Sequence, residues 1–274
     1  MDGLILVTGG TGGLGRRVVP RLHEAGRKVR VLSRRAHESR PGIEYIVGDL
    51  AKDEGVEAAL EGVEIVLHCA GSGKIAEDTA QIRNLVRAAQ QARAQHLVNI
   101  SVVGADRIPV VTGVDRAMFA YFASQLAVER TVAESGLPWT NLRATQFYDG
   151  FILSMVQAMA KLPVIPVPAG MRFQPVDAGE VAARLVELTL GPPAGLAPDI
   201  AGPKVYEAVE LLRGYLQAVH KRRLLVPVRI PGGAAQAIRS GANLSRDHAV
   251  GRRTWEEFLA DWASRSHGAV SVSA

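Results

Sequence analysis

The sequence predicts an α/β protein built on a doubly wound parallel sheet, with a small C-terminal α/β part. Three observations predict it. Leu4-Ile5-Leu6-Val7 is apolar on both faces, as a strand buried in a parallel sheet must be. That run passes directly into glycines at 9, 12 and 15 and then into Leu14, Val18, Leu22 and Ala25 at helical spacing: strand, glycine turn, helix. Further apolar strand-like runs then alternate with helical patterns as far as residue 150, the texture of βαβ units.

The glycine turn carries the first chemistry. Glycine permits a tight turn and lets backbone N–H groups approach a diphosphate, which then faces the helix N-terminus. The turn, with Gly9, Thr11, Gly12, Leu14 and Gly15, is therefore a candidate dinucleotide site. The competing reading is a glycine-rich βα loop with no ligand. Pro20 lies inside the first helix and is expected to kink it or disturb one turn, because it removes a backbone donor.

Lys28 to Ser33 reads as the second strand. Its end lies about 20 residues past the glycine turn, where an NAD site places an acid on the ribose hydroxyls. Here the residues are Ser33-Arg34-Arg35. A hydroxyl and two guanidinium groups suit a 2′-phosphate, which arginine's planar fork meets bidentately, so the expected cofactor is NADP(H). The alternative is two solvent-facing arginines.

A third strand, Ile43 to Val47, ends in Gly48-Asp49-Leu50; Asp49 either accepts the adenine amino group or caps a nearby helix. The fourth, from Glu64, ends in Ala70-Gly71, whose small side chains leave room for a cofactor across the strand ends. His68 and Cys69, with no further Cys/His cluster to complete a metal site, read as packed core. Leu97 to Val102 is the fifth strand and carries Ser101 at its carboxyl end. A long helix is expected over Arg116 to Ser135, and a sixth strand, Trp139 to Leu142, runs into Arg143-Ala144-Thr145-Gln146-Phe147.

Beyond residue 150 the pattern changes, so 1–150 is read as a nucleotide-binding domain and 151–274 as the smaller part, with 175–190 returning to the first. Phe151 to Lys161 reads as helix, and Pro163, Pro166 and Pro168 as breaks in a loop. Asp177 and Glu180 form a capping-box-like pair ahead of Val181, Leu185 and Leu188, and 191–195 reads as a linker. Leu212, Tyr215, Leu216 and Val219 share a helix face, and Leu224 to Ile230 reads as a strand. Thr254 and Glu257 form a second capping box before a stripe of Trp255, Phe258, Leu259 and Trp262, read as core. The chain is expected to fray after Ser266.

Composition bounds the setting. Of 274 residues, 47% are hydrophobic and 22% charged, enough for a sizeable core. A lone Cys69 excludes an internal disulfide, and with a core strand starting near Met1 and no long apolar run, the expectation is a cytoplasmic protein with no membrane span. The net charge of +5 is scattered over short clusters such as Lys221-Arg222-Arg223, and aromatics, at 5%, do not interleave with them, so nucleic acid is not an expected partner.

TGGTGGLG at 8–15, GDL at 48–50, AG at 70–71, NISVVGAD at 99–106 and GLPWTNLRATQF at 136–147 together resemble the atypical short-chain dehydrogenase/reductases, in particular the NmrA-like NAD(P)-binding branch. The resemblance implies a Rossmann-like domain, cofactor contacts that include Gln125 and Thr145, and a serine and tyrosine acting on the substrate, which fall on Ser101 and Tyr121. It also implies a lysine four residues after the tyrosine, to lower its pKa. That position is Gln125, on the same helix face by its i, i+4 spacing. A free tyrosine titrates near about 10, and a neighbouring cation lowers an acid by about 1–3 units, about 1.4–4 kcal/mol. Without it, alcohol oxidation through a tyrosinate is disfavoured, whereas reduction, with tyrosine as a donor, remains open. The alternative for Tyr121 is a packed aromatic beside Phe119 and Phe122, and for Ser101 a strand-end hydroxyl. Lys74 reads as a solvated loop residue rather than a replacement cation.

Two functions follow. One is an NADPH-dependent reductase of a quinone, carbonyl or enone, with Phe147, Tyr148 and Phe151 as pocket wall or core. The other is a non-catalytic NADP(H) sensor acting through a protein partner. A monomer or homodimer suits either.

Overall fold

The computed structural model describes residues 3–268; residues 269–274, where most of the expected fraying would fall, lie outside the described residues. The N-terminal layers follow the alternation in the sequence. The strands are β1 (Leu4–Thr8), β2 (Val29–Ser33), β3 (Ile43–Val47), β4 (Val63–His68), β5 (His96–Val102) and β6 (Trp139–Ala144). Between them lie α1 (Gly15–Glu24), α2 (Val56–Leu60), α3 (Ile75–Gln91) and α4 (Gly113–Ala133). The chain continues through a π-helical turn at Tyr148–Ile152, α5 (Leu153–Met159), β7 (Val164–Pro168), β8 (Arg172–Phe173), α6 (Ala178–Leu190) and β9 (Gly195–Leu196). It ends in β10 (Tyr206–Glu207), α7 (Ala208–Ala218), β11 (Leu224–Val228), α8 (Gly233–Arg239) and α9 (Trp255–Gly268).

Seven parallel strands form the main sheet in the order β3-β2-β1-β4-β5-β6-β9. The direction of winding reverses between β1 and β4, which opens a crevice at their carboxyl ends. Alternation places successive residues of each strand on opposite faces. Ile5, Val7, Leu67 and Val98 pack with Val18 and Leu22 of α1 and with Val181 and Leu185 of α6. Leu6, Val66 and Leu97 pack on the other face with Ile82 and Leu85 of α3 and Val128 and Val132 of α4. A third core holds α5, α7, α8 and α9 together; in it Tyr148, Trp255 and Phe258 stack, and the Tyr148 hydroxyl donates to the Arg253 carbonyl at 2.8 Å.

Four local expectations are corrected. The proline-rich stretch at 163–168 is a strand, β7, paired in parallel with β11; extended backbone suits the fixed φ of proline where no ladder donor is needed. The end of the 191–195 linker begins β9, which adds a seventh strand to the sheet. Asp177 caps α6 alone, accepting from the Gly179 amide at 2.7 Å, while Glu180 reaches away to the Arg252 amide at 2.9 Å. The fourth helix begins at Gly113 because Thr112 and Asp115 form a reciprocal capping box, and its backbone is interrupted at Phe119. In α1 Pro20 is accommodated within one continuous helix. The capping box at Thr254 and Glu257 forms as expected.

Two buried histidines make the fold pH-sensitive. His68 pairs with the Thr8 hydroxyl at 2.7 Å and His96 with that of Thr140 at 2.8 Å; burial lowers each pKa to about 4. Between the ordinary value of 6.5 and 4 the unfolded chain takes up protons that the folded chain refuses, so stability falls as pH drops through that window. The loss is on the order of 3 kcal/mol for His68 alone. Urea midpoints should fall between pH 7 and pH 4, less so in His68→Asn; a flat profile would contradict the buried neutral state.

Candidate cofactor and substrate site

Two adjoining spaces occupy the carboxyl ends of the strands. A polar cleft of about 300 Å³ is lined by the β1–α1 turn, by Ser33 and Arg34, by Gly48, Asp49 and Leu50, and by Cys69 to Ser72. A cavity of about 800 Å³ opens beyond it, between β5, β6, α4 and the C-terminal elements. Cys69, Ala70 and Gly71 line both, so the end of β4 is their shared floor.

The glycine turn is built for close approach. Gly9 adopts φ +68°, and a Cβ there would lie 2.7 Å from the Ala70 nitrogen and the Cys69 carbonyl. Gly15 starts α1 so close to the turn that a Cβ would lie 2.2 Å from the Gly9 carbonyl oxygen. Among the described residues the amides of Thr11, Gly13 and Leu14 make no hydrogen bond, so unpaired donors stand at the head of α1. That donor set fits a dinucleotide diphosphate.

The expected cofactor residues fall as follows. Gly9, Thr11, Gly12, Ser33, Arg34, Asp49, Leu50, Ala70 and Gly71 line the cleft, and Leu14, Gln125 and Thr145 line the cavity beside Ala70 and Gly71. Gly15 lines neither and acts through packing. Arg35 is in the lining of neither space; its amide donates to the Ser33 hydroxyl at 3.2 Å. Asp49 accepts from the amides of Ala51 and Lys52, which makes it the cap of a turn; α2 has Gly55 at its N-cap and no side-chain cap.

Ser101 and Tyr121 both reach the cavity. The Ser101 hydroxyl is buried with no partner, and so are the Thr145 hydroxyl and both polar ends of the Gln146 amide. Buried polar atoms without partners cost about 1–3 kcal/mol each, so this cluster is preset for a polar ligand. Tyr121 is 47% exposed overall, yet its phenol is raised to about 12 by desolvation and by the negative charge of Asp78. It stands beside Gly73, whose Cβ would lie 3.6 Å from its ring. Gln125 is buried, and its amide nitrogen would lie 3.6 Å from a Cβ on Gly71. Lys74 points to solvent and pairs with Glu77 at 3.5 Å, so it supplies no charge in place of the missing lysine.

Sequence reasoning missed the carboxylate that shapes this region. Asp78 is buried in the first turn of α3 and accepts from the Ser72 amide at 2.7 Å, the Ser72 hydroxyl at 2.8 Å, the Gly73 amide at 3.0 Å and the Ser124 hydroxyl. It ties the loop after β4 to α4 and so sets the spacing between cleft and Tyr121. Nothing local marks it, because its partners come from another element. Cys69 is likewise more than core: it is part-exposed and lines both spaces, although burial of its thiol raises the pKa to about 12 and keeps it protonated. Phe147 and Phe151 line the cavity, whereas Tyr148 is fully buried in the C-terminal core.

Helix α4 is held on the sheet by a paired charge. Arg143 grips Glu129 bidentately at 2.9 and 2.7 Å and also reaches Asp106 at 3.0 Å. Removing one partner of a buried pair costs about 3–5 kcal/mol. Glu129→Ala should therefore lose about that much stability in urea unfolding, while a loss under about 1 kcal/mol would mean that packing alone seats the helix.

The sequence profile of the NAD(P)H-binding family matches residues 9–163. The chain belongs to this family. Within it, the atypical short-chain dehydrogenase/reductase assignment fits both the sequence motifs and the matching folds. An uncharacterized Mycobacterium tuberculosis protein is 27% identical over 183 residues, 66% of this chain; the match spans only about a fifth (19%) of that relative's length. A (4-alkanoyl-5-oxo-2,5-dihydrofuran-3-yl)methyl phosphate reductase of Streptomyces griseus is 30% identical over 212 residues, 76% of this chain and 71% of the relative. An NAD(P)H azoreductase of Xenophilus azovorans is 30% identical over 216 residues, with the same coverage of 76% and 71%. The NADPH complex of an NADPH-dependent quinone oxidoreductase from Escherichia coli shares the fold, with a TM-score of 0.75 at 19% identity over 94% of this chain and 99% of that one. Among the described residues no helix is long and apolar enough to cross a membrane, and no group of three His, Cys, Asp or Glu is placed to hold a metal.

Proposed function

We propose that the protein is an NADPH-dependent reductase of uncharged conjugated carbonyl compounds, with quinones the best-suited class. The observation that carries this is the junction at Cys69–Gly71, where a cleft fit for a dinucleotide meets a cavity without one carboxylate, lysine, arginine or histidine in its lining. Bound there, NADPH supplies a hydride.

The chain's residues do the rest. The amides at the head of α1 take the diphosphate, and Arg34 with Ser33 takes the 2′-phosphate at the cleft's far end. Ser101, with Thr145 beside the same space, donates to the carbonyl oxygen as charge develops. The Tyr121 hydroxyl is the proton donor; with a pKa raised to about 12 it stays protonated at neutral pH, and a proton from solvent replaces the one it gives.

The missing cation selects the substrate. A simple ketone yields an alkoxide, whose basicity approaches that of hydroxide. A quinone yields a phenolate, near the ordinary phenol value of about 10. The second needs far less charge stabilisation, which suits a site with Gln125 in place of a cation. A phosphorylated substrate, as in the Streptomyces griseus reductase, would find no counter-charge in this cavity. The reductase names among the relatives support the reaction class. Gln125 also favours a non-catalytic sensor, but a sensor has no use for a substrate-sized cavity with preset donors.

The test is NADPH oxidation by purified protein offered quinones, simple ketones and charged carbonyls. Quinone turnover well above ketone turnover is expected; tight NADPH binding with no turnover on any of them would transfer the case to the sensor. Arg34→Ala should weaken NADPH binding by about 10-fold or more, as loss of a charge-assisted pair worth about 1.5–3 kcal/mol implies, and leave NADH unaffected. Equal losses for both cofactors would remove the 2′-phosphate from the account.

A further inference from the structure

The ribbon formed by β7 and β11 has two unlike faces. Ile165 and Val167 are buried in the C-terminal core. The alternate residues, Val164 and Pro166 with Leu224, Val226 and Val228, face outward, and Leu224 is 63% and Val164 47% exposed. An apolar strip of this kind on a surface marks a contact, because burying it in water-excluding surroundings is favourable.

The two ends of the strip differ. At one end Pro166, Pro168 and Val228 line the mouth of the cavity. At the other, Lys161, Arg222 and Arg223 gather with Pro163 and Leu224 around a shallow depression that has no acidic residue in its lining. Among the described residues none of these three cations, nor Lys221 beside them, forms an ion pair. The face therefore combines free positive charge at its rim with an apolar track leading inward.

We propose that this face docks on an anionic lipid bilayer, and that a lipophilic substrate passes along it from the bilayer into the cavity. The passage rests on the reductase reading; the docking does not. Charge complementarity selects the occupant, since a row of cations beside exposed Leu and Val matches anionic headgroups over acyl chains. A second copy of the chain is disfavoured by the strands themselves. Pro163, Pro166, Pro168 and Pro227 remove amide donors along the ribbon, so its edges are poor templates for another strand. The lining of the cavity agrees: Met118, Met155, Met159 and Met171 are all in it, and flexible thioethers accommodate apolar molecules of varied shape. No spanning segment is needed for such an attachment, which uses a folded surface.

Full-length protein is sedimented with vesicles of phosphatidylcholine alone and with vesicles of equal phosphatidylcholine and phosphatidylglycerol. Binding is expected only to the second, and it should weaken as salt rises. Lys161→Glu with Arg222→Glu should lower vesicle affinity by roughly 25-fold or more, at about 5-fold per cation. Leu224→Ser should lower it with less salt sensitivity in the loss. Both variants should keep wild-type NADPH oxidation with a short, water-soluble quinone, which also reports that they are folded. Absence of binding to the mixed vesicles, or a double variant that binds as wild type does, overturns the docking. So does a dimer in sedimentation velocity that the Leu224→Ser variant dissociates. Vesicle binding without turnover of any quinone would instead overturn the reductase reading and the passage, and leave the docking standing.

Discussion

Gln125→Lys is expected to raise NADP⁺-dependent alcohol oxidation by about 10- to 1,000-fold, as a cation lowers the pKa of a neighbouring acid by about 1–3 units. The reason lies on one face of α4. Tyr121 and position 125 are one helical turn apart and both line the cavity, and Tyr121 is held near 12 by desolvation and by Asp78. An ammonium at 125 opposes both effects, so the tyrosinate that oxidation requires becomes accessible at lower pH. The measurement is the pH profile of kcat/KM for oxidation, whose ascending, acid-side limb should move down by the same 1–3 units. Quinone reduction, which uses the protonated hydroxyl, should change much less. A Tyr121→Phe change in the same background should erase the gain. If the ascending limb stays in place while cofactor binding and stability are kept, Tyr121 is not the group that titrates.

Gly9→Ala should lower NADPH affinity by at least about 100-fold and destabilise the fold by about 1–3 kcal/mol, the range for an L-residue forced into a sparsely populated backbone region. The added methyl meets two obstacles together: φ +68°, and backbone atoms of Cys69 and Ala70 only 2.7 Å away. Relief requires the β1 turn to part from the end of β4, which is the junction between cleft and cavity. Gly13→Ala is the matched control, because a Cβ there meets nothing within 4 Å and the φ is unexceptional. Fluorescence titration and thermal unfolding of the two variants should separate widely. Similar losses in both would show that general helix-start perturbation, not the close approach of the two strand ends, governs the site.

How much of this was legible in the chain depends on the range of the interaction. The βα alternation, the glycine turn and the capping box at Thr254 are local, and each rests on short spacings, where periodicity and capping act. Strand β7 was not legible, because prolines at 163, 166 and 168 read as breaks until β11, about sixty residues later, supplies a partner that needs few of their donors. The same holds for β9, whose two residues have no strand pattern of their own and are placed by β6. In the site, Arg34 and Arg35 look equivalent in sequence. Only the folded chain separates them, since Arg34 lines the cleft and Arg35 is not in its lining. Asp78 and Gln146 carry no local signal, since what makes them matter is burial beside groups from other elements.

By itself the sequence determined a parallel α/β sheet with a dinucleotide turn, an arginine where an NAD site would hold an acid, and a glutamine where the family would hold a lysine. Those features depend on residue type and short spacing, which a chain carries whatever its fold. Tertiary structure alone decided that cleft and cavity share the floor at Cys69–Gly71, that the cavity wall is uncharged, and that an apolar strip joins its mouth to a cluster of free cations. Each of those is a property of space enclosed by distant segments, and packing, rather than any one segment, sets its shape and its charge.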